Sequence, residues 1–264
     1  MVARELYPVS IVGTGPGNTD FLAVRAARVI RSADVVLYDC KTASLALSLA
    51  DAKATIRYVE RPAGGCVPGE LSEMLRIVRD FHYEGLRVVR LKVGDPTLFA
   101  GEVDECRFLG EMAIPYEIIP GITPAASAAA TYAIPTSLKC RTNAVISLIV
   151  NSLGEGEAEI RDALRMLRHG ATLVLYMVGP NLEKVMHLMI EAEGNPATPV
   201  VAVSKSGWPD EAMVSASIGT VAASIAERGL KEPIIYFIGS HIEVRSVRTG
   251  SALAFVSGTA SGCL

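Results

Sequence analysis

Three strand-like runs in the first half of the chain each end at a glycine turn. Val9-Ser10-Ile11-Val12 enters Gly13-Thr14-Gly15-Pro16-Gly17, Arg90-Leu91-Lys92-Val93 enters Gly94-Asp95-Pro96, and Tyr116-Glu117-Ile118-Ile119-Pro120 enters Gly121-Ile122-Thr123. Open α/β sheets bind ligands at the carboxyl ends of their strands. Three such turns therefore point to one composite cleft. A carboxylate, Asp39, closes a further run, Val35-Val36-Leu37-Tyr38.

The first turn resembles a dinucleotide fingerprint but departs from it. The third glycine of that fingerprint would stand where this chain has Asn18. Pro16 also removes an amide that could face a phosphate. Asp39 stands near the place of the ribose-binding acid, so a nucleotide ligand stays open. A strand, turn and helix with no ligand is the other reading.

Strand and helix patterns alternate around these turns. Strands are expected at 9–12, 35–38, 55–59, 87–91 and 116–119. Helices are expected at 19–31, with Thr19 as cap, at 45–49, at 70–83, at 101–109 and at 125–131. The 70–83 segment places Leu71, Met74, Leu75, Val78 and Phe81 on one face. The pattern restarts after Pro135. Strands are expected at 144–150, 172–176, 199–203 and 233–238, with an edge strand at 213–219. Helices are expected at 158–168, 182–192 and 221–228. These patterns predict an α/β fold of two α/β domains, 1–135 and 136–245. A tail, 246–264, is rich in Gly, Ser and Ala and is expected to be disordered at its end.

The composition suits a globular protein with a large core, at 264 residues, 50% hydrophobic and 20% charged. The net charge of −3 argues against bulk affinity for nucleic acid. No apolar run reaches the roughly 18 residues of a membrane span. The opening Met-Val-Ala-Arg-Glu lacks the apolar core of a signal peptide, so a cytoplasmic protein is expected. The 5 cysteines are scattered, with no CxxC pair, and the 4 histidines show no HxxxH spacing. Reduced thiols and no metal site are expected.

Taken together and in order, "VGTGPGNTDFL", "ADVVLYD", "RLKVGDPTLF", "IPYEIIPGITPA", "YAIP", "TLVLYM" and "SGWPDE" resemble the tetrapyrrole methylases, which use S-adenosylmethionine (SAM). The resemblance runs from Val9 to about Ser240. "RLKVGDP", "PGIT", "YAIP" and "LYM" look most like uroporphyrinogen-III C-methyltransferase. "WPDE" looks more like the precorrin-4 C11-methyltransferase branch. The resemblance implies two α/β domains with the active-site cleft between them, a homodimer, and S-adenosylhomocysteine as coproduct.

Carried over by position, the resemblance implies that SAM meets Pro16, Val93, Gly94 and Asp95, with Leu98, Thr123 and Pro124 lining the adenosyl region. Met177 and Ser206 would come from the second domain. A sulfonium joined to adenosine needs backbone polar groups and apolar walls more than charges. Met177 also reads as core filler at a strand end. Asp39 falls on the family's proton acceptor. It also reads as an ordinary turn-forming aspartate after a strand. Arg61 stands where the uroporphyrinogen enzymes usually have Lys. Arginine does not deprotonate near neutral pH but pairs well with carboxylates. Arg61 is therefore expected to anchor the substrate's acetate and propionate arms, unless it is a solvated surface charge.

Further departures bear on the substrate. Val93 replaces the first glycine of the "GGDP" loop. Ser137-Leu138-Lys139 stands for a Thr-His-Arg run. Ala100-Gly101-Glu102-Val103-Asp104-Glu105 stands for "GRGGEE". The expected activity is SAM-dependent C-methylation of uroporphyrinogen III to precorrin-2, or of another precorrin. The competing readings are a methylase of ribosomal RNA or diphthine on the same fold, disfavoured by the acidic balance and "RLKVGDP", and a SAM-binding protein without turnover.

Overall fold

The computed structural model describes residues 6–60, 72–99, 102–142, 144–150, 157–193, 195–244, 246–249 and 252–255. The chain forms two compact units, Met1–Pro124 and Ala125–Leu264. The division falls at the start of a helix whose far end precedes the expected boundary at 135.

The first unit runs β1 (Val9–Gly13), α1 (Val24–Arg31), β2 (Val35–Tyr38), β3 (Thr55–Tyr58), α2 (Glu73–Tyr83), β4 (Val88–Lys92), α3 (Glu102–Glu111) and β5 (Tyr116–Ile119). Its five strands lie in the order β3-β2-β4-β1-β5. Every pairing is parallel. The central strands have an apolar layer on both faces, which is why they read as near-continuous hydrophobic runs. Val9, Ile11, Val35, Leu37 and Val88 pack with Met74, Leu75 and Val78 of α2 and Leu109 of α3. The alternate residues Val12, Val36, Val89 and Leu91 pack with Ala26 and Ile30 of α1.

Two local expectations are corrected. The helix expected at 19–31 is split into a 3-10 turn at Thr19–Phe21 and α1. Leu22 and Ala23 are extended between the two. Asn18, rather than Thr19, is the cap, accepting from the Asp20 backbone N–H at 2.9 Å. The helix expected at 45–49 is a longer 3-10 segment, Lys41–Leu49.

The second unit contains α4 (Pro124–Tyr132), β6 (Val145–Ile149), α5 (Glu157–Leu167), β7 (Thr172–Tyr176), α6 (Leu182–Glu193), β8 (Pro199–Ser204), β9 (Ala212–Ser217), α7 (Val221–Arg228) and β10 (Ile234–Ile238). The sheet order is β6-β7-β10-β8-β9. Only β6 and β7 pair in parallel; β10 is antiparallel to both β7 and β8, and β9 is antiparallel to β8. β9 is the edge strand its alternating pattern predicts. Leu173, Leu175, Val200, Ala202, Ile234 and Tyr236 share a core with residues of α5, α6 and α7. Within the 246–264 segment, β11 (Ser246–Thr249) and β12 (Ala252–Phe255) pair antiparallel. Residues 256–264 lie outside the described residues. No described helix is long and apolar enough to cross a membrane.

Candidate functional site

β4, β1 and β5 are neighbours and parallel, so their carboxyl ends share one edge of the first sheet. The three glycine turns meet there and lock together. The Thr14 N–H donates to Lys92 O at 2.8 Å. Gly94 N donates to Gly15 O at 2.8 Å and Gly15 N returns a bond to Gly94 O at 3.2 Å. Asp95 clasps the third turn, its Oδ2 accepting the Gly121 N–H at 2.9 Å. Its Oδ1 accepts the Thr97 N–H at 2.8 Å and also the Thr97 hydroxyl.

This packing is the physical reason for two of the glycines. A Cβ on Gly121 would lie 2.1 Å from Gly94 O, and one on Gly13 would lie 2.6 Å from Gly121 N. No side chain fits either space. Gly94 adds a left-handed backbone, φ +70°, that favours glycine. Of the cofactor residues expected in this unit, Pro16 and Gly94 are buried, while Val93, Asp95, Leu98, Thr123 and Pro124 are half-buried around the same turns.

Asp39 follows β2, which pairs directly with β4. Its side chain is only 6% exposed, and its Oδ2 accepts from Arg90 Nη2 at 2.6 Å. Arg90 and Lys92 lie two apart on β4 and so project to one face of the sheet. Glu105 of α3 lies against that face, its Oε1 accepting from Lys92 Nζ at 2.6 Å and from Arg90 Nη2 at 3.3 Å. Asp39 is therefore more than a turn residue, because its carboxylate is built into a buried set of charges. Sequence reasoning noted these residues as motif letters and missed their partnership. The available signal was two cations at alternate positions of a central apolar strand, where unpaired charge is prohibitive. Arg61 lies outside the described residues.

In the second unit, β7 and β8 point the same way, since β10 runs antiparallel between them. Their carboxyl ends therefore share an edge, and this brings Met177 and Ser206 to the same side of the sheet. Met177 is 56% exposed and held at φ +52°, so it is not core filler. Lys205 has a similar left-handed backbone, φ +51°. Ser206 is 5% exposed, and its hydroxyl has no hydrogen-bond partner among the described residues. The following loop is internally braced. Gly207 N donates to Glu211 Oε2 at 2.6 Å, and Lys205 pairs with Asp210. An exposed thioether and an orphaned buried hydroxyl at one sheet edge fit a ligand with both apolar and polar parts.

Residues 8–222 match the tetrapyrrole (corrin/porphyrin) methylases. A siroheme synthase of Methylococcus capsulatus is 30% identical over 249 residues, covering 92% of this chain and 52% of that protein. The chloroplastic S-adenosyl-L-methionine-dependent uroporphyrinogen III methyltransferase of Arabidopsis thaliana is 34% identical over 239 residues, covering 89% of this chain and 64% of that protein. The chain thus spans about half the length of the siroheme synthases it matches. Among solved structures, a cobalt precorrin-4 methyltransferase superposes with TM-score 0.76 at 26% identity, covering 88% of this chain and 94% of that one. A uroporphyrin-III C-methyltransferase from Thermus thermophilus, solved with S-adenosylhomocysteine, gives 0.72 at 26% identity, covering 88% and 97%. The chain belongs to the tetrapyrrole (corrin/porphyrin) methylases, a family of S-adenosylmethionine-dependent methyltransferases.

Proposed function

We propose that this protein methylates two ring carbons of uroporphyrinogen III, C2 and C7, giving precorrin-2. The observation that carries the reading is the interlocked set of turns at Gly13, Gly94 and Gly121, braced by Asp95. Such a set fixes main-chain groups at the sheet edge before any ligand arrives, and preorganisation of this kind lowers the entropic cost of binding. Pro16, Val93, Gly94, Asp95, Leu98, Thr123 and Pro124 hold SAM on this reading, with Met177 and Ser206 of the second unit. SAM supplies an electrophilic methyl group. An electron-rich pyrrole carbon takes that methyl, and a proton must leave a neighbouring carbon to restore conjugation. Asp39 is the proposed acceptor, held in direction by Arg90. Arg61 anchors a carboxylate arm of the substrate.

The test is an anaerobic incubation of the protein with SAM and uroporphyrinogen III, read by mass. Gain of two methyl groups supports the proposal, and a gain that stops at one would overturn precorrin-2 as the product. SAM binding by calorimetry with no turnover on uroporphyrinogen III or a precorrin would point to a binding protein instead.

A second reading, precorrin-4 C11-methylation, is favoured by the "WPDE" loop. That loop is braced here by the Glu211 and Asp210 contacts. Turnover of precorrin-4 without turnover of uroporphyrinogen III would decide for it.

A further inference from the structure

Arg90 and Lys92 are two cations on a central strand, with side chains 2% and 3% exposed. Taking such groups out of water is expensive, and a buried ion pair rarely stabilises more than apolar residues of the same volume. The chain nevertheless keeps both, and they share an acceptor. Arg90 donates from Nη1 to Leu91 O at 2.8 Å, and from Nη2 to Asp39 at 2.6 Å and to Glu105 at 3.3 Å. Lys92 donates to the same Glu105 oxygen at 2.6 Å. Asp39, Arg90, Glu105 and Lys92 thus alternate in sign. Glu105 alone among them reaches the sheet from a helix.

We propose that Glu105 is a positioning residue. It fixes the Arg90 guanidinium, and through it the direction of the Asp39 carboxylate. The inference rests on the reading of Asp39 as proton acceptor. A planar guanidinium imposes direction on a carboxylate oxygen only while its own plane is held. Leu91 O holds one nitrogen of that plane. Glu105 supplies the other restraint, on the nitrogen that also meets Asp39.

Two variants separate positioning from simple charge balance, Lys92→Met and the double variant Lys92→Met/Glu105→Leu. Lys92→Met leaves the set with an excess negative charge; the double variant is neutral again. If Glu105 only balances charge, the double variant recovers what Lys92→Met loses. If Glu105 positions Arg90, Lys92→Met keeps most of kcat. The double variant then loses about tenfold or more in kcat, with KM and SAM affinity near wild type, as small misplacements of a reacting group do.

Nitrogen-15 NMR of the Arg90 side chain gives a readout independent of turnover. Resolved Nη resonances are expected in the wild type and in Lys92→Met, and averaged ones in the double variant. A double variant with wild-type kcat, or with Arg90 resonances still resolved, overturns the proposal. A wild-type protein inactive on every tetrapyrrole tried would sink the functional reading, and the resonances would still decide the positioning. Should Lys92→Met fail to fold, Lys92→Met/Glu105→Gln takes its place. It is as neutral as the double variant but keeps an oxygen that can accept from Arg90. It should therefore keep most of kcat and the resolved Nη resonances, and its loss of both would overturn the proposal.

Discussion

The Asp95 carboxylate accepts the Gly121 backbone N–H at 2.9 Å, joining the loop after β4 to the loop after β5. An aspartate that reads in sequence as a ligand contact is also the clasp of the turns. Asp95→Ala is therefore expected to cost about 1.5–3 kcal/mol of stability, the range for a lost hydrogen bond to a charged group. SAM affinity should fall with it. Urea denaturation and calorimetric titration check both; a variant with unchanged stability and weaker SAM binding would make Asp95 purely a ligand residue.

Gly121→Ala is expected to destabilise by at least about 3 kcal/mol, because overpacking against a fixed carbonyl has no cheap relaxation. The added carbon would sit 2.1 Å from Gly94 O. Gly110 in α3 is the control, since a Cβ there meets nothing within 4 Å. Gly110→Ala should stabilise by about 0.5–1 kcal/mol, the usual gain of Ala over Gly in a helix. Urea midpoints that move alike in the two variants would refute the interlocked-turn account.

Asp39→Asn should lower turnover about 10²-fold or more, the usual range for loss of a general base. SAM affinity should barely change. An unaltered kcat would remove Asp39 from the chemistry and leave it as a structural partner of Arg90.

At position 61, Arg61→Lys should keep much of the activity, while Arg61→Ala should mainly raise KM, since the role assigned is uniform binding of a substrate carboxylate. A fall in kcat at constant KM in Arg61→Ala would assign the residue to the reaction itself.

His241 gives a pH signature. Burial pushes its imidazole below the ordinary value of 6.5. Its Nε2 lies 2.8 Å from Thr172 Oγ1, which donates onward to Thr136 O at 2.7 Å, so Nε2 carries the proton. The folded state then binds fewer protons than the unfolded state below pH 6.5. The contribution is full above that pH and is lost as pH falls towards the depressed value. His241→Gln should reduce the acid-side loss of Tm between pH 7 and about 5, where His titrates. A pH profile identical to wild type would show that His241 is not its source.

The architecture was largely legible in the sequence, because strand and helix periods, glycine turns and apolar runs are local signals of which faces are buried. β5, β7 and α7 fall where their patterns place them. The split at Leu22 and Ala23 escaped, because both residues suit a helix by type, whereas in the structure they are extended and packed against the core beside α1. Pro16, Gly94, Met177 and Ser206 enter as site candidates through the family resemblance, and in the structure each follows the carboxyl end of a strand. What the tertiary structure decided was partnership. Arg90 and Asp39 are 51 residues apart in the chain, and Asp95 and Gly121 are 26 apart. No periodicity links such residues. Only the strand order β2-β4-β1-β5 brings them within hydrogen-bond reach, and a buried charge must then find its opposite because water is no longer there to solvate it.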